Sequence, residues 1–180
     1  EKEKGTVTEE INIYRDNPMR RAETLWKELL YGDQPAGWDI AGTKQTVSAL
    51  MRKDLVAYMK SQYVPANTVV CVAGNTHEEK VIQQMSKLFG GMKSLAFRTK
   101  QKVIERQTKP EMLVEFKETD QTRIVLGVRA YNLFHPAHFA QEILATILGG
   151  MASSRLFHEV REKLGIAYDI RTSSETDPDT

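Results

Sequence analysis

The sequence predicts an α+β fold in which helices pack on a mixed or antiparallel sheet. Two observations support this prediction. Apolar residues recur at helical spacing through much of the chain, and short runs rich in β-branched residues lie between the helical segments. The chain has 180 residues, of which 41% are hydrophobic, and this is enough to form a core.

Two helices are predicted at the beginning of the chain. In residues 2–17 the apolar positions follow the i, i+4, i+7 rule: Val7, Ile11 and Tyr14. Asn17 and Pro18 then end the first helix and begin the second, because Asn is a favoured N-cap and Pro is favoured at the first helical position.

The loop 31–42 is rich in Gly and Pro, and we expect its Trp38 to anchor it to the core. A helical segment broken near Arg52, a strand and another helix are predicted to follow, over residues 43–63, 68–73 and 77–89. The lone Cys71 lies in the apolar strand, where we expect a buried, inert thiol.

Residues 92–110 lose the periodicity and gain charge, so we expect them to connect two segments. The second segment resumes the mixed pattern, with strands predicted over residues 112–117, 122–130 and 166–173 and helices over residues 139–148 and 153–164. The sequence therefore divides into residues 1–91, a connector at 92–110, and residues 111–180.

The charge balance excludes some classes of partner. With 25 basic and 24 acidic side chains the formal charge is +1, which favours neither nucleic acid nor an anionic membrane as a partner. No apolar stretch is long enough to cross a bilayer, and a single cysteine excludes an intrachain disulfide.

Two carboxylates on the first helix are candidates for chemistry. Glu3 and Glu10 are seven residues apart, which is close to two helical turns, so both lie on one face. The helical wheel places Glu10 beside the apolar face and Glu9 opposite, so we expect Glu10 to point inward. An inward carboxylate is paired with a base, protonated or bound to a metal, and the helix alone leaves ion pairs and metal binding both open.

The four histidines do not form a recognisable metal motif. His135 and His138 have a helix-like spacing, but Pro136 places them at a helix start, and His77 is predicted to begin a helix. His158 begins HEVRE, in which Glu162 stands where the zinc motif H-E-x-x-H requires its second histidine.

Arg161 and Tyr168 are the second candidate group. The chain is predicted to leave a helix at Gly165, so the guanidinium and the phenol converge at the junction and can donate hydrogen bonds to a carbonyl or oxyanion. The alternative is structural: Arg161 pairs with Glu159 or Glu162, and Tyr168 packs against its neighbours.

Several segments together resemble the pitrilysin/insulinase family of zinc metallopeptidases. Within that family they most resemble the bacterial branch whose members are similar to mitochondrial processing peptidase. They are EKEKGTVTEEINIYRDNP, LLYGDQPAGWDIAGT, YVPANTVVCVAGN and GGMASSRLFHEVREKLGIAY. The resemblance implies a zinc site made by two histidines of an inverted H-x-x-E-H motif, whose Glu activates the metal-bound water, and by a later glutamate. The later glutamate corresponds to Glu10, and an accompanying acidic residue corresponds to Glu3. The residues that hold the substrate at the zinc correspond to Arg161 and Tyr168.

H-x-x-E-H does not occur in these 180 residues, so the resemblance implies an internal fragment truncated at both ends. Residues 1–91 would be the end of a first half-domain, carrying the zinc-ligand glutamate, and residues 111–180 the beginning of a second. The fragment alone is expected to be inactive. The compartment is left open, with the cytoplasm favoured.

The resemblance implies a zinc-dependent endopeptidase that hydrolyses short or unfolded peptides, bound partly by strand addition. The expected assembly is a homodimer or an association with the second half of the parent protein. The alternative function is a non-catalytic structural or partner subunit of the same family. An autonomous peptide-binding module is a third hypothesis.

Overall fold

The computed structural model describes residues 2–178. The helices are α1 Lys2–Asp16, α2 Pro18–Tyr31, α3 Lys44–Ala49, α4 Arg52–Gln62, α5 Glu78–Phe89 and α6 His138–Gly149, followed by a π-helix at Phe157–Lys163. Short 3-10 turns lie at Pro35–Gly37 and Pro65–Asn67. No helix within this part of the chain is long and apolar enough to span a membrane.

The predicted α+β fold is wrong, because residues 2–178 contain helices and no strand. The runs expected to be strands are present as non-helical segments whose side chains are largely in solvent: Val69 is 94% exposed and Leu126 is 93% exposed. A strand requires a neighbouring backbone within hydrogen-bonding reach. β-Branched composition shows that a segment suits a sheet but does not show that a partner is available.

The chain forms two compact units. Unit 1 comprises the described residues of Glu1–Asn17 and Asp39–Gln101, and unit 2 comprises those of Pro18–Trp38 and Lys102–Thr180. The division into half-domains at residues 91 and 111 concerns a different question, namely repeat boundaries in a longer protein, and it stays a prediction.

In unit 1, α1 packs against α3, and Lys4 Nζ donates a hydrogen bond of 2.8 Å to the carbonyl of Ser48. Thr43 caps α3: its side chain accepts from the Thr46 amide, and Thr46 Oγ1 accepts from the Thr43 amide at 2.8 Å. Val47 and Val64 are buried, and burying each stabilises the unit by about 1.5–3 kcal/mol.

The helices were predicted with more success than the strands. The break near Arg52 is confirmed, since α3 ends at Ala49 and α4 begins at Arg52. The Asp54 carboxylate fixes that beginning by accepting a 2.8 Å hydrogen bond from the Met51 amide. The helices predicted over residues 2–17, 77–89 and 139–148 are confirmed as α1, α5 and α6.

Two local predictions of burial are wrong. Trp38 is 59% exposed, and its indole N–H donates to the Asp33 carboxylate at 2.8 Å, so the loop is held by a polar contact. The Cys71 thiol is exposed because its segment has no neighbouring strand to cover it.

In unit 2, two arginines attach α2 to later residues. Arg21 pairs with Glu115 through both its Nε and its terminal nitrogen, at 3.0 Å and 2.6 Å. The hydrogen bonds that Arg21 donates to Glu115 raise the pKa of Arg21 above its ordinary value. Arg129 donates to the carbonyl of Leu30 and pairs with Glu105 at 3.2 Å. Because the last carbonyls of a helix lack intrahelical partners, Arg129 caps the end of α2.

The end of α6 lies against the last residues described in unit 2. The Thr172 amide donates to the Gly149 carbonyl at 3.1 Å, and a Cβ at Gly149 would lie 2.4 Å from Thr172 Oγ1. Gln141 adds a second connection: it accepts from the Tyr131 amide at 2.7 Å and donates to Ser174 at 2.6 Å. These contacts hold the segment that follows the π-helix close to α6.

Candidate functional site

Glu10 lies on α1 in unit 1 and accepts a 2.9 Å hydrogen bond from the Tyr14 hydroxyl, one turn further along the helix. The expectation that Glu10 points inward is wrong, because Glu3, Glu9 and Glu10 are all exposed. Of the three residues predicted to form the apolar face, Val7 and Ile11 are only half-buried and Tyr14 is exposed. A carboxylate beside a partly covered face remains in solvent.

Of the two explanations left open for Glu10, the described residues do not supply the ion pair, and metal binding stays a prediction. Glu10 has no ion pair with a described basic side chain. Residues 2–178 also contain no group of three or more His, Cys, Asp or Glu side chains able to hold a metal ion. Zinc sites need three or four protein ligands, so this part of the chain does not make a complete site, and Glu10 could supply one ligand.

His158 and His135 have local partners. His158 contacts Glu162 at 2.5 Å, one helical turn away. His135 Nδ1 accepts a hydrogen bond from the Ala137 amide at 3.1 Å, and its ring stacks on Tyr131 with the centroids 3.9 Å apart. These are the contacts of a helix start and a helix surface.

Arg161 and Tyr168 come together in unit 2. The Arg161 guanidinium carbon lies over the Tyr168 ring, 4.9 Å from its centroid, and over the Phe157 ring, 4.6 Å from that centroid. Arg161 and Phe157 both belong to the π-helix and are half-buried, whereas Tyr168 is 83% exposed. The predicted convergence of Arg161 and Tyr168 is therefore present in the structure, and their roles stay predictions.

The structural alternative for Arg161 does not hold. Glu159 pairs with Lys163 at 2.6 Å and Glu162 pairs with His158, so both acidic neighbours have other partners. The Lys163 hydrogen bond lowers the pKa of Glu159. Within the described chain, the Arg161 side chain makes no hydrogen bond. Its N–H groups are available to a ligand.

An exposed ion pair adjoins Tyr168. The Asp169 carboxylate accepts from Arg171 at 2.9 Å and 3.2 Å. The side-chain hydrogen bond from Arg171 holds the pKa of Asp169 below its ordinary value, and the charges of Arg171, Arg161 and Arg123 act in the same direction. The charges that act on Asp169, the neighbour of Tyr168 in sequence, thus include those of three arginines.

The sequence prediction did not include Phe157. Its position four residues before Arg161 was a usable signal, because residues four apart on a helix surface are neighbours and Arg stacks on aromatic faces. Glu3 and Glu10 belong to unit 1, and Phe157, Arg161 and Tyr168 belong to unit 2. Of the two predicted groups, the pair Arg161 and Tyr168 therefore forms a cluster of contacting side chains, which also contains Phe157.

Comparison with known proteins gives these two groups a context. The sequence model of the family described as the peptidase M16 inactive domain matches residues 49–180, which include Arg161 and Tyr168. The chain belongs to the M16 peptidase family. The resemblance drawn from the sequence segments is thereby confirmed.

Curated relatives of this M16 chain are named as uncharacterized zinc proteases. The protein YmxG of Bacillus subtilis is 35% identical over 94% of this chain and 41% of its own length. A relative from Mycobacterium leprae is 33% identical over 94% of this chain and 39% of its own length. The chain thus spans about two fifths of the relatives that it matches.

Solved structures support the fold. A peptidase M16 inactive domain from Pseudomonas fluorescens matches 97% of the chain and 42% of its own length, with a TM-score of 0.73 at 17% identity. A protease from Helicobacter pylori matches 97% of the chain and 44% of its own length, with a TM-score of 0.67 at 20% identity. The path of this chain is therefore that of an M16 domain.

Proposed function

We propose that this chain is part of a longer M16 zinc endopeptidase acting on short or unfolded peptides, and that it supplies peptide-binding groups and one metal ligand. The observation that carries the proposal is the cluster of Arg161 and Tyr168, whose N–H and O–H donors have no competing acidic partner at Glu159 or Glu162. Family membership and the names of the curated relatives support the peptidase class.

In this proposal Arg161 and Tyr168 bind the carbonyl of the peptide bond to be cleaved. A guanidinium presents N–H donors in a rigid fork, and a phenol adds one O–H donor. Donors of this kind stabilise the negative charge that develops on a carbonyl oxygen during peptide hydrolysis. The exposed Tyr168 ring and the half-buried Arg161 leave these groups accessible to a peptide.

Glu10 is proposed as one zinc ligand in the longer protein, with Glu3 as a nearby charge that supports it. The Tyr14 hydroxyl, which donates to Glu10 Oε1 at 2.9 Å, fixes the orientation of the carboxylate. Ligating carboxylates are commonly held by hydrogen bonds of this kind. The other ligands would come from residues outside this chain, and we propose that the chain associates with the other half of the peptidase.

The test compares Glu10→Gln with Glu9→Gln in the longer protein. Glu9 is a matched control because it is an exposed glutamate on the same helix. We expect Glu10→Gln to lose bound zinc, measured by atomic absorption, and to lower hydrolysis of fluorescein-labelled casein roughly 100-fold or more, because removal even of a group that only orients a ligand costs 10- to 100-fold. Full zinc content and full hydrolysis in Glu10→Gln would contradict the assignment.

A second candidate function is a non-catalytic partner subunit, which is favoured by the family description of an inactive domain over residues 49–180. That match leaves out Glu10 and includes Arg161 and Tyr168. A non-catalytic subunit would bind labelled casein without containing zinc and without hydrolysing it. The same zinc and hydrolysis measurements on the unmodified protein therefore decide between the two candidates.

A further inference from the structure

Phe157 is the least expected member of the cluster in unit 2. It lies four residues before Arg161 in the π-helix, and its ring centroid is 4.6 Å from the guanidinium carbon, slightly nearer than the Tyr168 centroid at 4.9 Å. Arg161 therefore has one aromatic contact on its own helix and one on the segment that follows. Within the described residues the Arg161 side chain makes no hydrogen bond or ion pair, although its charge acts on Asp169.

We infer that Phe157 is a positioning residue that holds the Arg161 guanidinium beside Tyr168 with its hydrogen-bond donors free for a peptide carbonyl. This inference rests on the proposed function of Arg161 and Tyr168. An attraction between a cation and a ring face orients the guanidinium without using its N–H groups to bond protein oxygen atoms. A carboxylate in the place of Phe157 would orient Arg161 equally well but would occupy those donors.

The π-helix contributes to this arrangement. The Leu164 amide donates to the carbonyl of Glu159 at 3.1 Å, which is the five-residue spacing of a π-helix. This wider turn determines the positions of Phe157 and Arg161 relative to each other and to the chain that continues to Tyr168. Local π-helical turns within helices occur frequently at functional sites, in agreement with a role in placing Arg161.

The inference is tested with Phe157→Leu, which keeps an apolar side chain and removes the ring, and with Phe157→Tyr, which restores a ring. Phe134→Leu is the matched control because Phe134 is 75% exposed and lies in the same unit. The substrate is fluorescein-labelled casein. Both kcat and KM are measured if the longer protein hydrolyses it, and Kd is measured if the protein only binds it.

We expect Phe157→Leu to lower kcat/KM, or to raise Kd, roughly 3- to 10-fold, because the donors are still present but less often in position to stabilise the carbonyl oxygen. Phe157→Tyr should restore the value, and Phe134→Leu should not change it. In NMR spectra the Arg161 side-chain protons of the unmodified protein should show ring-current shifts that decrease in Phe157→Leu. Casein binding unchanged by Phe157→Leu, or an equal loss in Phe134→Leu, would overturn the inference.

The NMR measurement keeps the inference testable if Phe157→Leu does not fold. Arg161 protons without ring-current shifts in the unmodified protein would overturn it directly. Failure of the proposed function has a different signature: Arg161→Lys would leave casein binding unchanged while the ring-current shifts in the unmodified protein remained.

Discussion

Two arginines of unit 2, Arg129 and Arg161, are held in different ways although each lies over a tyrosine ring. Arg129 is 5.6 Å from the centroid of Tyr31, and Arg161 is 4.9 Å from that of Tyr168. Arg129 also donates hydrogen bonds to the Leu30 carbonyl and to Glu105, whereas Arg161 donates none within the described chain. The ring contact is common to both, and the use of the N–H donors differs.

The difference indicates which arginine supports the fold and which is free to act on a ligand. Donors directed at the end of a helix and at a carboxylate stabilise the folded chain. Donors held beside an exposed phenol contribute little to stability but are available for binding. The comparison therefore predicts opposite consequences when each arginine is replaced.

The largest effect is expected for Arg161→Lys in the longer protein. Lysine keeps the charge but lacks the planar fork, so casein hydrolysis or binding should weaken roughly 10- to 100-fold, the value of a hydrogen bond to a charged group. The melting temperature should stay unchanged. Arg98→Lys, an exposed arginine in the predicted connector, is the control. Equal activity of Arg161→Lys and Arg98→Lys would contradict a ligand-binding role for Arg161.

A smaller effect, on stability alone, is expected for Arg129→Met. The change removes the cap on α2 and the ion pair with Glu105 while keeping much of the apolar volume, so the free energy of unfolding should fall by about 2 kcal/mol. Urea denaturation followed by circular dichroism measures this loss. Casein binding by the folded variant should be unchanged, and a loss of binding without loss of stability would reverse the assignment of the two arginines.

The smallest effect concerns the titration of Asp169. Its folded pKa is lowered, first by the Arg171 hydrogen bond, from an ordinary value of 3.8. The ion pair therefore contributes stability above pH 3.8, and the contribution is lost as the pH falls through the lower, folded pKa. Both side chains are largely in solvent, so the effect is seen as a titration midpoint and not as a change in unfolding.

NMR titration should place the Asp169 midpoint below its ordinary value in the unmodified protein. Arg171→Met should raise it most, and Arg161→Met should raise it less, because Arg161 acts only through its charge. An unchanged midpoint in Arg161→Met would mean that Arg161 lies away from Asp169 and Tyr168 in solution.

The sequence predicted the helices well because their signals are local. Thr43 and Asp54 mark the beginnings of α3 and α4 by bonding amides within three residues of themselves, and such capping is visible in the sequence. The strands failed because pairing depends on a distant partner. Val69 and Leu126 have suitable side chains, but nothing in their own segments determines whether another backbone lies beside them.

The candidate site follows the same division. The convergence of Arg161 and Tyr168 was predictable because only a turn at Gly165 separates the helix that carries Arg161 from the segment that carries Tyr168. Gly165 has a φ of 63°, which a glycine adopts without strain. The orientation of Glu10 was not, since it depends on how completely other residues cover the apolar face of α1. The partners of Glu159 and Glu162 were also ambiguous in sequence, because several basic side chains lie within one turn.

The π-helix at Phe157–Lys163 also affects how insertions and deletions act on this protein. A π-helical turn holds one more residue than the α-helical turn that it replaces. Removing one residue from the segment would allow an ordinary α-helix, in which each later side chain is rotated by about 100°. All residue types of the cluster would be retained, yet Arg161 would face a different direction. The length of this segment, as well as its composition, therefore specifies the cluster, whereas residues 92–110 form no helix whose register could shift.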